Sequence, residues 1–165
     1  MAELITRLPC SSVRLQVSAR ALPVAATVID GLALPQQPNT WTGDDPLVWW
    51  LAPDAWLIQS RRGSDELLAQ LRSDCRTLPC AITDLSDALV TFALEGTGAV
   101  SVLARGCGLD LRTRSFRAQA CASTRLAQLA VLLRRTAASR FELVVDRAPA
   151  QYFHDWLVDA AAGID

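Results

Sequence analysis

The stretch that decides the fold is Ala88–Leu111, with the sequence ALVTFALEGTGAVSVLARGCGLDL. Its first part, Leu89–Leu94, is a short apolar run with β-branched and aromatic side chains, which is typical of a buried strand. The residues Glu95–Gly98 predict a turn, and Ala99–Arg105 predicts a short apolar helix that ends at Gly106. We therefore expect a strand, a tight turn and a helix folded back on the strand as the nucleus of the chain.

Patterns of the same kind predict strands and helices on both sides of this nucleus, with proline and glycine marking the turns between them. Before the nucleus we expect strands at Val13–Val17 and Val24–Ile29, followed by a long loop at Asp30–Asp45. A hairpin of Leu47–Leu51 with Trp56–Gln59 comes next. It leads to a helix that Ser64 caps, with Leu67, Leu68 and Leu71 as its apolar stripe, and then to a strand at Ala81–Leu85. After it we expect a loop from Arg112 to Thr124, a hairpin of Leu126–Arg134 with Phe141–Val145, and a helix at Ala150–Ala161 with the stripe Phe153, Trp156, Leu157 and Ala160.

Two parts of the chain follow the same order of turn, strand, short loop and helix. They are Pro53–Arg72 (PDAWLIQSRRGSDELLAQLR) and Ser139–Ala160 (SRFELVVDRAPAQYFHDWLVDA). An internal duplication would explain this, although any hairpin followed by a helix looks similar. The order of elements predicts an α+β fold of two similar β-β-α-type halves with mainly antiparallel sheets. We expect a single domain over residues 1–165, with a loose N-terminal arm at 1–12 and possible halves at 13–80 and 81–165.

The composition restricts the classes of function. Sixteen basic and seventeen acidic residues nearly cancel, which argues against nucleic acid as a partner because phosphate binding needs a basic excess. Every basic residue is arginine, so no lysine exists for a Schiff base or a phosphate loop. Hydrophobic residues make up 51% of the chain. That fraction predicts either a large core or a surface that packs on a partner.

The cysteines and apolar segments predict a cytoplasmic protein. The five cysteines are odd in number and include no Cys-x-x-Cys pair, which predicts reduced thiols and no metal site. The first residues carry an acid, Glu3, where a signal peptide has a basic residue. The apolar stretch Val24–Leu34 contains Asp30 and is too short to span a bilayer, so we expect no membrane contact.

Three features of the sequence are candidates for chemical activity. Gly96–Ser101 resembles a dinucleotide loop, but Ser101 replaces the third glycine, so we interpret it as a strand-to-helix turn. The single histidine, His154, lies beside Asp155, and neighbouring helix positions point apart. Short acidic residues at turns most often bind backbone N–H groups, and this is the role we expect for Asp84, Asp87 and Asp110. We expect no catalytic, cofactor-binding or metal-binding residues in this chain.

Two features predict a surface for a partner protein. Trp49 and Trp50 are adjacent in a predicted strand, so their side chains face opposite sides of the sheet and one of them belongs to the core. The other tryptophan either anchors a partner interface or packs in the core of a second layer. Arg112, Arg114 and Arg117 lie in one loop, which either binds an anion or an acidic partner, or is simply solvated.

The order of several motifs resembles the gamma subunit of heterotetrameric sarcosine oxidase. The motifs are Leu94-Glu95-Gly96-Thr97-Gly98-Ala99, Arg105-Gly106-Cys107-Gly108-Leu109-Asp110-Leu111, Cys121-Ala122-Ser123-Thr124-Arg125-Leu126-Ala127, the strand Phe141–Val145, and the aromatic positions Tyr152, Trp156 and Leu157. Upstream, Leu51-Ala52-Pro53-Asp54-Ala55-Trp56-Leu57 is similar to the family's Leu-Gly-Pro-Asp-Glu-Trp-Leu, with Ala52 in place of the usual glycine. The resemblance covers roughly residues 24–161.

This resemblance implies the fold of the folate-binding domain of aminomethyltransferases and a role without catalysis. It implies alpha, beta and delta partner subunits that carry FAD, FMN, NAD, zinc and tetrahydrofolate, while the gamma subunit packs on the large subunit. The complex would demethylate sarcosine to glycine. Three alternatives remain open: the same subunit in another N-methyl amino acid oxidase or dehydrogenase, a stand-alone tetrahydrofolate-binding or aminomethyltransferase-like protein, and an unrelated α+β interaction module.

Overall fold

The computed structural model describes residues 4–21, 29 and 32–164. The strands are β1 (Leu4–Leu8), β2 (Ser11–Val17), β3 (Trp41–Thr42), β4 (Leu47–Ala52), β5 (Ala55–Ser60), β6 (Cys80–Asp84), β7 (Leu89–Glu95), β8 (Cys121–Leu126), β9 (Leu129–Ala137) and β10 (Arg140–Asp146). The helices are α1 (Ser64–Asp74), α2 (Ala99–Ala104) and α3 (Ala150–Ala162), and Ala19–Ala21 forms one 3₁₀ turn. The predicted strand Val24–Ile29 lies outside the described residues except for Ile29, which is buried.

The chain divides into two compact units. The continuous unit is Pro9–Asp87, and the split unit combines Met1–Leu8 with Ala88–Asp165. The predicted boundary between halves at residues 80 and 81 is wrong, because β6 returns to pair with β2 as an edge strand of the continuous unit. That residues 1–165 form a single domain stays a prediction.

The described residues of the continuous unit include a five-stranded antiparallel sheet in the order β3-β4-β5-β2-β6. The predicted helix stripe Leu67, Leu68 and Leu71 is buried in its core together with Trp56 and Ile58. Burying such side chains contributes about 1.5–3 kcal/mol each, which makes α1 an integral part of the unit. Ser64 is the first residue of α1 rather than its cap: the N-cap is Gly63, with no side-chain hydrogen bond.

The split unit is a second five-stranded antiparallel sheet, in the order β1-β7-β10-β9-β8. The predicted nucleus forms as expected, with β7 running into a turn and then into α2. Its core combines alternate residues of β7 and β10 with one face of α3, including Phe92, Leu94, Phe141, Phe153 and Leu157. The period-2 pattern of the strands and the period-3.6 pattern of α3 both direct their apolar side chains into this core.

The two sheets share one topology, which confirms the prediction of two similar α+β halves. In each unit a hairpin (β4–β5 or β9–β10) places its second strand beside an earlier strand of the same unit, β2 or β7, and a helix follows the hairpin. The two similar segments, Pro53–Arg72 and Ser139–Ala160, therefore occupy equivalent positions. The outer neighbour differs in origin: β6 follows α1 in sequence, whereas β1 comes from the beginning of the sequence.

The prediction of a loose arm at residues 1–12 is wrong for residues 4–12, the part of the arm that the structure describes. Residues Leu4–Leu8 form β1 and pair with β7 over their whole length, and β2 already begins at Ser11. Leu4, Thr6 and Arg7 are exposed, so β1 has a weak hydrophobic pattern. Its order comes from long-range backbone pairing, which a local sequence pattern does not reveal.

The predicted strand Leu126–Arg134 is interrupted by a hairpin turn at Ala127-Gln128. These residues have positive φ angles of 52° and 68°, and they connect β8 to β9. Such turns usually contain asparagine or glycine, so the sequence gives no signal for the reversal here. As a result β8, which begins at Cys121, lies partly inside the segment that was predicted to be a loop.

Candidate partner interface

The two adjacent tryptophans of β4 differ in burial. Trp49 is fully buried, and its indole Nε1 donates a 2.8 Å hydrogen bond to Oε1 of Gln59 on β5. Gln59 is itself buried and donates from Nε2 to Oγ of Ser12 at 3.0 Å. Trp50 is half-buried. The predicted role at a partner interface is therefore wrong for Trp49, which belongs to a buried polar network, and for Trp50 it stays a prediction.

Arg112 forms a bidentate ion pair with Asp110 two residues earlier. Its Nε donates to Oδ1 and its Nη2 to Oδ2, both at 2.7 Å. The Asp110 carboxylate also accepts the backbone N–H of Arg112 at 3.1 Å and the hydroxyl of Ser115 at 2.7 Å. The Arg112 side chain, followed by the Ser115 hydroxyl, holds the pKa of Asp110 well below its usual range. Asp110 is thus an ionised acceptor that shapes its own turn, and the charge of Arg112 is largely compensated.

The segment after Asp110 is a compact turn that presents two arginines. The backbone N–H groups of Ser115 and Phe116 both donate to the carbonyl of Arg112 at 2.9 Å, and Phe116 is buried in the core of the split unit. Arg114 and Arg117 lie on the exposed side of this turn. Within the described residues, neither side chain has a hydrogen bond or an ion pair. Of the three arginines predicted from the sequence, Arg112 is therefore paired with Asp110, whereas Arg114 and Arg117 are available to bind a partner.

Arg135 on β9 is a functional candidate that the sequence analysis missed. The residue is 2% exposed and its guanidinium carbon Cζ lies 4.6 Å from the ring centroid of Phe141. It donates to the carbonyl of Ala138 at 2.8 Å, to Oγ1 of Thr113 at 3.3 Å, and to the carbonyl of Leu111. Burial lowers the pKa of Arg135. An arginine pair inside an apolar strand was the available signal, since charges are rarely buried without a role.

The neighbouring Arg134 is also buried, but its charge is paired with a carboxylate. It projects beside Glu142 of β10, its direct partner in the β9–β10 register, and its Nε donates to Oε2 of Glu142 at 2.8 Å. Both residues are buried. Arg134 is therefore compensated by a carboxylate, whereas Arg135 binds carbonyl and hydroxyl oxygens of the loop and the β9–β10 turn.

The residues considered for proton chemistry serve in turns or lie on the surface. Asp84 accepts the Ser86 hydroxyl at 2.6 Å and its backbone N–H at 2.9 Å, and these bonds, the hydroxyl first, lower the pKa of Asp84. Nδ1 of His154 lies 3.3 Å from Oδ1 of Asp155, although side chains at adjacent helix positions were expected to point apart. Both side chains are exposed. An exposed pair of this kind contributes little energy and orients neither group strongly.

The glycine motif forms the predicted turn. Gly96 has a φ angle of 151°, a backbone conformation that residues other than glycine rarely adopt. Its carbonyl accepts the N–H of Ala99 at 3.1 Å. This places α2 directly after β7.

Over residues 4–21, 29 and 32–164, no group of three or more histidine, cysteine, aspartate or glutamate residues has an arrangement that would hold a metal ion. In the same residues no helix has the length and apolar character needed to cross a membrane.

Comparison with known proteins identifies one family over most of the chain. The model of the family described as sarcosine oxidase, gamma subunit matches residues 15–163. The sarcosine oxidase subunit gamma of Corynebacterium sp. (strain P-1) is 32% identical over 152 residues, which cover 88% of this chain and 74% of the relative. The subunit of the same name from Arthrobacter sp. is also 32% identical, over 155 residues with the same coverage.

Solved structures agree with the sequence comparison. A chain of the heterotetrameric sarcosine oxidase from Corynebacterium sp. U-96, in complex with pyrrole 2-carboxylate, superposes with a TM-score of 0.88 at 27% identity, over 97% of this chain and 84% of that one. The glycine cleavage system aminomethyltransferase T from Bartonella henselae superposes with a TM-score of 0.69 at 14% identity, over 95% of this chain and 45% of that one. The second match shows the shared fold, as the resemblance implied.

Proposed function

Because the chain belongs to the sarcosine oxidase gamma subunit family, we propose that it is the non-catalytic assembly subunit of a heterotetrameric flavoenzyme that oxidatively demethylates sarcosine to glycine. The observation that carries this proposal is the match of residues 15–163 to that family. The superposition on a chain of a heterotetrameric sarcosine oxidase supports it independently, through the fold.

The chemistry of the charged groups also supports a role in assembly. Asp84 and Asp110 have lowered pKa values because hydroxyl, amide or guanidinium groups of their own turns bind the carboxylates. A carboxyl group in this state is a poor proton donor near neutral pH, since a general acid needs a pKa close to the working pH. The hydrogen bonds of these two carboxylates therefore organise their own turns and do not poise either group for proton transfer.

In this proposal the alpha, beta and delta subunits bind FAD, FMN, NAD, zinc and tetrahydrofolate, and the gamma chain binds none of them. The complex works in the cytoplasm, in sarcosine catabolism and one-carbon metabolism. The half-buried Trp50 and the exposed Arg114 and Arg117 are the candidate contact residues.

The test is a pull-down of the tagged chain from its native host, with subunit analysis by mass spectrometry and an absorbance spectrum of the eluate. We expect three further subunits and flavin absorption. Sarcosine and other N-methyl amino acids are then compared as substrates of the eluate, and preference for another N-methyl amino acid would assign the chain to a related oxidase or dehydrogenase.

A chain that elutes alone and colourless would overturn the proposal. Titration of that chain with tetrahydrofolate would then test the alternative of a stand-alone folate-binding protein, for which the fold alone is shared with aminomethyltransferase T.

A further inference from the structure

The loop between α2 and β8 contains a segment, residues 109–117, that we call the arginine loop. It has no strand or helix, and side-chain hydrogen bonds to Asp110 hold its first half. Asp110 binds Arg112, Ser115 and the backbone N–H of Arg112, and Phe116 is buried in the core. A loop that its own side chains hold in one conformation has less conformational entropy to lose when a partner binds.

Arg135 fixes the arginine loop to the sheet. It reaches from β9 to the carbonyl of Leu111 and to Oγ1 of Thr113, the residues directly before and after Arg112. No carboxylate compensates its charge within the described residues, and its buried Nε has no hydrogen-bond partner there. A buried, uncompensated guanidinium disfavours folding, since desolvation of the charge is only partly offset by carbonyl dipoles. A purely structural role would be filled more cheaply by an apolar side chain.

The arginine loop presents the kind of groups that anchor protein interfaces. Arg114 and Arg117 are exposed and lack an internal partner in the described residues, and Leu109 is 36% exposed. Arginine is enriched in interfaces because its planar fork binds carboxylates bidentately, and an apolar neighbour adds desolvated area. Because Arg112 is already paired with Asp110, the charge available to a partner comes from Arg114 and Arg117.

We propose that the arginine loop is a preorganised docking element that binds carboxylate side chains on another subunit through Arg114 and Arg117, with Arg135 as the positioning residue. This inference rests on the proposed function, because it requires a partner chain. Holding the loop in its binding conformation in advance reduces the entropy lost on association and so favours affinity.

The test compares charge reversals in the co-expressed complex. The variant R114E/R117E is compared with the control R72E/R76E, which makes the same charge change at two exposed arginines of the continuous unit. Association of the tagged chain with the other subunits is measured at several NaCl concentrations. We expect R114E/R117E to weaken association about 10- to 100-fold and to flatten its salt dependence, while the control stays within about threefold of the wild type.

The possible outcomes separate this inference from the proposed function. If the wild-type chain retains no partner, the proposed function fails. If the wild-type chain and R114E/R117E retain the partners equally, only the docking role of the arginine loop is refuted. Circular dichroism spectra of all variants check that the reversals leave the fold intact, as expected for exposed side chains.

The role of Arg135 is tested by a double-mutant cycle. We expect Arg135→Met to weaken association of the wild-type chain at least fivefold but to add little in the R114E/R117E background. A merely structural role would weaken both backgrounds equally, and that result would refute the positioning role.

Discussion

The buried ion pair between Arg134 and Glu142 makes a quantitative prediction about stability. The two side chains are 8% and 10% exposed, directly opposite each other on β9 and β10, and joined by a 2.8 Å hydrogen bond. Glu142→Ala removes the carboxylate while the guanidinium remains buried. Breaking a buried pair in this way costs about 3–5 kcal/mol, several times the median for exposed pairs, about 0–1 kcal/mol.

The assay is urea denaturation of the purified chain, followed by circular dichroism and tryptophan fluorescence, for the wild type, the single variant Glu142→Ala and a double variant. We expect Glu142→Ala to lower the free energy of unfolding by about 3–5 kcal/mol. The double variant Arg134→Met/Glu142→Leu is expected to recover most of that loss, because it removes both charges and fills the same space with apolar atoms.

Two results would refute this reasoning. A loss below about 1 kcal/mol for Glu142→Ala would mean that water reaches the guanidinium and that the pair behaves like a surface pair. A double variant as unstable as the single one would mean that the loss came from packing and not from an uncompensated charge.

Three further predictions concern particular residues. Gly106→Ala is expected to destabilise the chain by about 1–3 kcal/mol, because the new Cβ would lie 2.6 Å from Cζ2 of Trp156; Gly108→Ala is the matched control, with nothing within 4 Å, and equal thermal melting of the two variants would contradict the prediction. Asp110→Asn is expected to be less stable than the wild type at pH 7. Because the folded-state pKa of Asp110 is lowered, the ionised carboxylate stabilises the fold above the unfolded-state pKa of about 3.9, and this stabilisation is lost as the pH falls from there through the folded-state pKa. The melting temperatures of the two proteins should therefore converge in acid, and a constant difference from pH 7 to pH 2 would argue against a role of the carboxylate charge. Burial, and to a lesser extent the nearby Cys80, raise the pKa of Cys75 to about 12. Iodoacetamide at pH 8 should therefore modify the half-buried Cys10 and Cys80 before Cys75, as measured by peptide mass spectrometry. Urea should remove this difference in rate, and early modification of Cys75 in the native chain would show that its site opens readily.

The sequence predicted the elements whose signal is local. The strand β7, the turn at Gly96, α1 and α3 all combine a clear periodicity with a punctuating residue. The bounds of β7 and α3 lie within one residue of the predicted ones, and α1 begins at Ser64, the residue that was predicted to cap it. The repeated hairpin–helix order was also sufficient to predict two similar halves.

Elements that depend on long-range pairing escaped prediction. The strand β1 is mostly exposed and is ordered by β7, which lies far along the chain, and the β8–β9 reversal uses alanine and glutamine where a turn usually has glycine or asparagine. At the candidate interface, alternation along β4 correctly separated Trp49 from Trp50 but did not say which one is buried. The anchoring by Arg135 needed the structure, because its bonds reach carbonyls of residues that are distant in sequence.

The origin of β1 also sets the order in which the two units can be completed during synthesis. The strand pairs described for the continuous unit all lie within residues 9–87, so every partner strand is available once residue 87 has left the ribosome. By contrast β1 is made early and lies ahead of residues 9–88, so it must wait for β7; at about 5–20 residues per second the delay is roughly 4–16 s. Throughout this interval β1 is a nascent strand without its partner, accessible to chaperones or to the same segment of a neighbouring nascent chain. Slower translation over residues 9–88 would lengthen this exposure, so codon choice in that region is expected to influence the yield of soluble protein more than codon choice after residue 95.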